Sequence, residues 1–249
     1  MNETDGPGVK SAERALTILE LFSQPNRALT FTQVAEMLGY PRSSLHGLLR
    51  TLTDRGWLRL DARTRRFTLG LRAWEAGRAY SPASALAEAT QPTLDRLRTS
   101  FNGNVHIAVL DGGDIVHVVH SGDVAQRRVA AHATGAGKVL LAQLDRSQVE
   151  QRMGGRPLPR LTPDTLTDVD DLHRTLDVVR EQDWAEACNE HLDGVHTIAV
   201  PLRDRTGSVV AALGVAAPAQ NMDPQRREQV LQALRQAAAE VGSDLELAG

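Results

Sequence analysis

Apolar residues at helical spacing indicate two consecutive short helices early in the chain. The first begins at Thr30, whose side chain has capping-box spacing to Gln33, and it ends at Gly39. Pro41 can open the second helix because a first-turn N–H needs no partner, and Gly56 follows its end. Its inward leucines are Leu45, Leu48, Leu49 and Leu52. Two helices joined by so few residues predict a helix-turn-helix.

Two strand-like runs with a charged tip between them follow the helix pair. The tip at residues 61–66 holds three arginines. An amphipathic helix over about residues 11–22, with Leu16 among its inward residues, precedes the pair. Together these elements predict a winged helix-turn-helix over residues 10–70.

The leucine stripe of the second helix leaves a polar face outward that suits the major groove of DNA. Arg can bond guanine edges, Ser or His can bond bases or phosphates, and the wing arginines lie where a minor groove or a phosphate run would be. The alternative is a solvated charged face without a partner, and for a single residue such as His46 a structural role stays open. The candidate DNA-binding residues are Thr32, Arg42, Ser43, Ser44, His46, Gly47, Arg50, Arg63, Arg65 and Arg66.

Charge is distributed unevenly along the chain. Residues 1–80 carry twelve Arg or Lys against eight Asp or Glu, whereas residues 81–249 carry sixteen against twenty-three. The excess of positive charge therefore lies where DNA would bind. The single cysteine, Cys188, excludes an intrachain disulfide. No apolar run is long enough for a membrane helix and the first residues lack a signal-peptide pattern, so we expect a cytoplasmic protein without a membrane partner.

The pattern changes after about residue 82 to alternating helices and strands, which predicts an α+β class. Residues 1–9 are polar and are expected to be disordered. A linker helix over 71–82 carries bulky residues such as Trp74, which either form a dimer contact or pack on the winged domain. Further helices are predicted at 84–100, broken or kinked at Pro92, and at 135–144, 168–182 and 224–247, with strands at 105–110, 115–119, 197–200 and 209–215.

The chain has no convincing motif for phosphate binding, zinc binding or catalysis. The run Gly-Ala-Gly-Lys at 135–138 lacks the Gly and the Ser or Thr that a phosphate loop needs at positions 132 and 139. Two groups of side chains are candidate zinc ligands, but neither has a known ligand spacing. They are Cys188, His191 and His196, and His106, His117 and His120. No Ser, His and acid grouping stands at a nucleophile elbow, so we expect no metal, no cofactor and no catalytic residues.

Three motifs stand in order along the chain. They are Gly39–Leu52 (GYPRSSLHGLLRTL), His132–Lys138 (HATGAGK) and Ile198–Leu202 (IAVPL). In this order and spacing they resemble the IclR family of bacterial transcriptional regulators, over nearly the whole chain from Val9 to about Leu245. The resemblance implies a GAF-like α/β effector-binding domain at 83–249 and a homo-oligomer, a dimer or a tetramer, that binds double-stranded promoter DNA and a small organic acid.

The resemblance also implies the position of the effector. The implied ligand-binding residues are Val118, Gly135, Ala136, Gly137, Ala187, Thr197, Gly214 and Ala216. Where relatives that bind small polar acids have Asp, Cys and two Ser, this chain has Ala187, Thr197, Gly214 and Ala216. We therefore expect a roomier and more apolar cavity, and an effector larger than a two- or three-carbon acid, such as an aromatic acid. Free N–H groups at 135–137 are expected to hold its carboxylate.

Three classes of function fit these residues. The first is a ligand-responsive transcriptional regulator, with a repressor preferred to an activator. The second is an enzyme acting on a small acid with an accessory DNA-binding domain, and the third is a ligand-free architectural DNA-binding protein. Gly47 stands where the family usually has Arg, so base recognition is expected to shift to Arg42, Ser44 and Arg50, or to the wing.

Overall fold

The computed structural model describes residues 9–23, 27–78, 81–101, 103–122, 128–154 and 157–242. The chain divides into two units, Met1–Ser81 and Pro82–Gly249. The stretch expected to be disordered lies outside the described residues except for Val9, which directly precedes the first helix. Within the described ranges, no helix is long and apolar enough to cross a membrane.

The first unit contains four helices and a three-stranded antiparallel sheet among its described residues. In chain order they are α1 (Lys10–Leu21), β1 (Leu29–Thr30), α2 (Phe31–Leu38), α3 (Arg42–Asp54), β2 (Leu58–Leu60), β3 (Arg66–Leu69) and α4 (Leu71–Arg78). The central strand is β3, which pairs with β2 as the wing and with β1 on its other side. Strand β1 was not predicted, because two residues carry no periodicity.

The core of this unit lies between α1, α2, α3 and the wing. Ile18 of α1 is fully buried against Val34, Leu45 and Leu49. The prediction that Leu16 points inward is wrong, since it is 59% exposed. The buried stripe of α1 passes through Ile18 and Phe22, with Leu19 packed against it, so Leu19 and Phe22 lie inward as predicted.

The second unit is built on a six-stranded antiparallel sheet of order β6-β5-β4-β9-β8-β7. Its strands are β4 (Asn104–Asp111), β5 (Asp114–Ser121), β6 (Arg128–Ala130), β7 (Ala185–Cys188), β8 (Val195–Arg203) and β9 (Val209–Pro218). Its helices are α5 (Ser81–Phe101), α6 (Gly135–Leu141), α7 (Arg146–Met153), α8 (Val169–Gln182) and α9 (Pro224–Gly242). Helix α5 runs through Pro92 and already includes residues 81 and 82, which were expected in the linker helix.

Each face of this sheet carries its own core. On one face, Ile198, Leu213 and Val215 pack with residues of α5 and α9 such as Leu94 and Leu234. On the other face, small residues of the strands pack with α6, α7 and α8. Those small residues are Ala108, Ala185, Ala199 and Ala212. Their short side chains let α6 lie close to the sheet.

Gly137 marks the closest approach in this packing. A Cβ on Gly137 would lie 2.0 Å from the carbonyl oxygen of Ala131, in the 3₁₀ turn before α6. Because that neighbour is backbone and cannot rotate away, we expect Gly137→Ala to lower the free energy of unfolding of the second unit by about 3 kcal/mol or more. Urea unfolding followed by circular dichroism measures this change.

The matched control is Gly47→Ala on α3, where an added Cβ would meet nothing within 4 Å. Alanine is the better helix former, so this control should raise the stability of the first unit by about 0.5–1 kcal/mol. If Gly137→Ala unfolds at the same urea concentration as the wild type, the close contact between Gly137 and Ala131 is contradicted.

Candidate functional site

The start of α2 fixes the helix pair of the first unit. The Thr30 N–H donates to Oε1 of Gln33 at 2.9 Å, and the Gln33 N–H donates to Oγ1 of Thr30 at 3.3 Å. Gly39 ends α2 with a φ of +62°, which few side chains tolerate. Pro41 then occupies the cap position directly before α3. The capping box and the glycine stop predicted from the sequence are therefore present.

The outer face of α3 presents five of the predicted residues to solvent. They are Arg42, Ser43, His46, Gly47 and Arg50. Ser44 differs, since it is half-buried and its Oγ accepts a hydrogen bond of 3.3 Å from Nη1 of Arg14 on α1. The Arg14 guanidinium also lies 5.0 Å from the centre of the Tyr40 ring. Arg14, which was not predicted, is thus held at the first turn of α3.

An aromatic residue of α2 supports the same face. The Arg42 guanidinium lies 5.6 Å from the centre of the Phe31 ring, and the His46 ring centre lies 6.3 Å from it. These contacts restrict the side chains of two predicted DNA-binding residues.

The wing is braced at its tip and at its base. Oδ1 of Asp61 accepts hydrogen bonds from the N–H groups of Arg63 at 2.8 Å and Thr64 at 2.9 Å, and these bonds hold the pKa of Asp61 below its usual value. Arg65 adopts a left-handed backbone with φ of +55°. Arg66 donates from Nη1 to the carbonyl oxygen of Ala28 at 2.7 Å. Arg63 and Arg65 therefore belong to the tip, whereas Arg66 is tied to the base.

A cleft of about 470 Å³ lies between α2, α3 and the wing. Four predicted residues line it, Thr32, His46, Arg50 and Arg65. The Arg50 side chain is 75% exposed, and its Nε lies 3.6 Å from Asp54 one turn along α3. The structure thus brings residues from three separate elements to one opening.

In the second unit, most of the predicted ligand-binding residues meet beneath α6. Ala187, Thr197 and Ala216 stand side by side on β7, β8 and β9. The neighbouring row is Ala185, Ala199, Gly214 and His106. Gly135, at the start of α6, faces these rows, because a Cβ there would lie 3.0 Å from the Ala185 carbonyl oxygen.

Two expectations about this region are wrong. The N–H of Gly135 already donates to Oγ1 of Thr197 at 3.0 Å, and that of Gly137 donates to the capping hydroxyl of Thr134 at 3.1 Å. These two groups are therefore not free for a carboxylate. Val118 packs into the core on the α5 and α9 side, away from Thr197, because the pairing of β4 with β5 shifts register between Ile107 and Ala108.

His106 occupies the space that Gly214 leaves. A Cβ on Gly214 would lie 2.8 Å from Nε2 and 3.1 Å from Cε1 of His106. The His106 residue is 5% exposed and its ring centre lies 4.5 Å from that of His117. Burial, followed by the nearby His117 and His120, lowers the pKa of His106 to about 3. The region is therefore not as open or as apolar at Gly214 as the sequence indicated.

Lys138 has a structural partner. Its Nζ lies 2.5 Å from Oε1 of Glu190 and donates to the carbonyl oxygen of Glu186 at 3.2 Å. Burial raises the pKa of Glu190, and the Lys138 ammonium acts against that shift. The pair ties α6 to the loop after β7. In the described part of the chain, no three His, Cys, Asp or Glu side chains converge as metal ligands.

Comparisons with known proteins decide the family. A family model described as the IclR helix-turn-helix domain matches residues 11–62, and one described as bacterial transcriptional regulator IclR C-terminal matches residues 79–243. The chain belongs to the IclR family. The resemblance drawn from its three motifs is confirmed, and so is the predicted order of a helix-turn-helix followed by an α/β domain.

Relatives within the IclR family include both transcriptional activators and repressors. The p-hydroxybenzoate hydroxylase transcriptional activator of Acinetobacter baylyi is 34% identical over 92% of this chain and 89% of its own. The HTH-type transcriptional repressor AllR of Klebsiella pneumoniae is 27% identical over 96% of this chain and 91% of its own. A crystal structure of an IclR homolog from Microbacterium hydrocarbonoxydans complexed with 4-hydroxybenzoate superposes with a TM-score of 0.81, at 27% identity, over 94% of this chain and 98% of that one.

Sequence reasoning missed three residues of the two candidate sites of this IclR-family chain. Arg14 and Phe31 make cation–π contacts with residues of other elements. Such contacts between elements leave no pattern in the local sequence. The position of His106 beside the candidate site could have been suspected from Gly214. Gly214 lies inside a strand, where a glycine often marks the close approach of another group.

The depressed pKa of His106 predicts acid sensitivity of the second unit. Between the unfolded pKa near 6.5 and the folded value of about 3, the unfolded chain binds a proton that the folded chain does not. The free energy of unfolding should therefore fall as the pH falls from 6.5, and His106→Leu should reduce the slope by up to about 1.4 kcal/mol per pH unit. Urea titrations at pH 7, 6 and 5 measure it.

The control is His46→Gln, which alters an exposed ring on α3 and should leave that slope unchanged. Equal slopes in wild type and His106→Leu would show that the ring does not stay neutral on folding.

Proposed function

We propose that this protein is a cytoplasmic transcriptional regulator that binds promoter DNA through α3 and the wing and changes its affinity when a small aromatic acid binds beneath α6. The DNA-binding part of this proposal rests on one observation, the cleft between α2, α3 and the wing. It is lined by Thr32, His46, Arg50 and Arg65. A helix presenting such groups fits the major groove, and a wing arginine beside it reaches the backbone or the minor groove.

Residue positions on α3 support the same proposal. Arg42, His46 and Arg50 recur every four residues and so share one exposed side of the helix. Arg63 and Arg65 add charge at the wing tip, where phosphate contacts give affinity without sequence preference. With Gly47 on the same helix contributing no side chain, base recognition falls to the arginines and His46.

The residues beneath α6 support an aromatic acid as the effector. Alanine and glycine dominate these rows, so a ring bound there would meet mostly apolar groups. Thr197 adds a polar side chain to the rows, and its hydroxyl accepts from the Gly135 N–H and donates to the Ala187 carbonyl oxygen. The effector contacts are thus proposed at Gly135, Ala136, Gly137, Ala187, Thr197, Gly214 and Ala216.

The surface of α4 supports a homodimer or a homotetramer. Leu71 is 67% exposed and Trp74 is 57% exposed. Exposed bulky residues on one short helix favour burial against a second copy over packing within the unit. A two-fold pair of reading helices also suits an operator with two half-sites.

Arg50→Ala tests the DNA-binding surface. We expect operator affinity to fall by about fivefold to a hundredfold, and the slope of log affinity against log salt to lessen by about one, because one cation leaves the interface. Fluorescence anisotropy with a fragment of the protein's own promoter at several salt concentrations gives both numbers.

The matched control is Arg174→Ala on α8. Its side chain has similar exposure and pairs with Asp171 of its own helix, as Arg50 pairs with Asp54. It should bind DNA like wild type. If Arg50→Ala keeps both affinity and slope, α3 does not read DNA through this residue.

Calorimetry tests the effector class. The protein should bind 4-hydroxybenzoate with at least tenfold higher affinity than glyoxylate, because an apolar surface holds a ring but cannot orient a very small acid. Saturating acid should also change the operator affinity, since the two ligands are coupled only if the acid prefers one arrangement of the dimer. Tight binding of glyoxylate with no binding of aromatic acids would overturn the proposal.

A further inference from the structure

Gly47 lies at the centre of the exposed face of α3. Leu45 and Leu49 are buried in the core of the first unit, and Gly47 is two residues from each of them. Because two residues turn an α-helix by about 200°, the backbone at Gly47 faces directly away from that core. Arg42 and His46 lie beside it, on the side of the exposed face that is nearer α2.

The fold of the first unit gives no reason for a glycine at this position. Helix α3 continues without interruption from Arg42 to Asp54, and Gly47 is not among the glycines with a positive φ. A Cβ added to Gly47 would meet nothing within 4 Å. Glycine inside a helix is less stable than alanine, because it loses more backbone freedom on folding. Gly47 therefore weakens α3 without relieving any contact among the described residues.

The surface that Gly47 offers to a partner is apolar. Its N–H and carbonyl groups are bonded along the helix, as in any helix interior, so the exposed atoms are the Cα and its hydrogens. A base edge that presents only donors or acceptors would find no partner there. The major groove of DNA also presents one apolar group, the 5-methyl group of thymine. A methyl group needs only an apolar surface and enough room, and Gly47 supplies both.

We infer that Gly47 is a specificity-determining residue, whose lack of a side chain lets the backbone of α3 contact the 5-methyl group of a thymine in the operator. This inference rests on the proposed function, because it requires that α3 enters the major groove. The side chains of His46 and Arg50 bond base edges or phosphates beside the contact. Gly47 then sets the depth of α3 in the groove and adds a preference for thymine at one position of each half-site.

The contact leaves space for one methyl group, and this makes it testable from both sides. In Gly47→Ala the new Cβ points outward into the volume that the thymine methyl would occupy. Replacing thymine by uracil removes the methyl group from the DNA and leaves the base-pairing edge unchanged. The two changes should therefore compensate for each other, whereas each one alone should weaken binding.

The experiment uses two versions of a fragment of the protein's own promoter, one with thymine and one with uracil at every thymine position. Fluorescence anisotropy should show that wild type binds the thymine fragment at least about fourfold more tightly, the effect of one buried methyl group. Gly47→Ala should lose about tenfold or more in affinity for the thymine fragment, because its Cβ overlaps the methyl group. It should bind the uracil fragment at least as tightly as the thymine fragment.

The matched control is Arg50→Ala, one turn along the same face of α3. It should weaken binding to both fragments and keep the wild-type ratio between them, because a guanidinium contact does not depend on the methyl group. Urea unfolding should show that Gly47→Ala is at least as stable as wild type, so that its loss of affinity does not come from unfolding.

Three results would overturn the inference and leave DNA binding by α3 standing. They are wild-type affinity of Gly47→Ala for the thymine fragment, equal loss of its affinity for both fragments, and equal binding of the two fragments by wild type. If wild type binds neither fragment, the proposed DNA binding is wrong and this inference falls with it.

Discussion

The close contact of α6 with the sheet is the constraint on which the second unit depends. Gly135 has no side chain, so the start of the helix can rest on the Ala185 backbone of the sheet, and Gly137 lets the helix fold closely against Ala131 in the preceding 3₁₀ turn. Lys138 then reaches its buried partner Glu190 and fixes the helix against the loop after β7. Without this contact, neither the small-residue rows nor the Thr197 hydroxyl would have a surface facing them.

The two units use opposite electrostatic designs. The first keeps its arginines at the surface, with rings and carbonyls restricting them, and this suits a polyanionic partner. The second buries His106, whose pKa is lowered to about 3, and pairs its lysine, Lys138, with Glu190. A regulator couples two such sites only through the differential affinity of each ligand for the states of the other.

The sequence predicts the elements whose signals are local. The capping spacing of Thr30 with Gln33 and the stop at Gly39 fix α2, and runs of apolar, often β-branched residues locate β4, β5, β8 and β9. Strands β1 and β7 are too short to show a period. Leu16 was misplaced because several apolar faces of α1 compete, and contact with α3 selects the one with Ile18.

The candidate sites were predictable in part, and the rest depends on long-range contacts. The family motifs placed Gly135, Thr197 and Gly214 on neighbouring elements, which the structure also does. A strand bulge removed Val118 from that face, and the register of β4 against β9 put His106 over Gly214. Neither a β-bulge nor the register of two paired strands can be predicted from residue spacing alone.

Asp61 gives the wing a preformed turn at its tip, which the charges of the wing arginines alone would not provide. By accepting from two successive amides, this carboxylate folds the turn of the hairpin before any duplex arrives. In the proposed docking of the wing, residues 63–65 would therefore lose little chain entropy, and a larger share of each contact energy would be kept as affinity. A tip that is rigid in advance also tolerates only a narrow range of groove widths, so this docking would make the shape of the duplex, and not only its base edges, part of what is recognised.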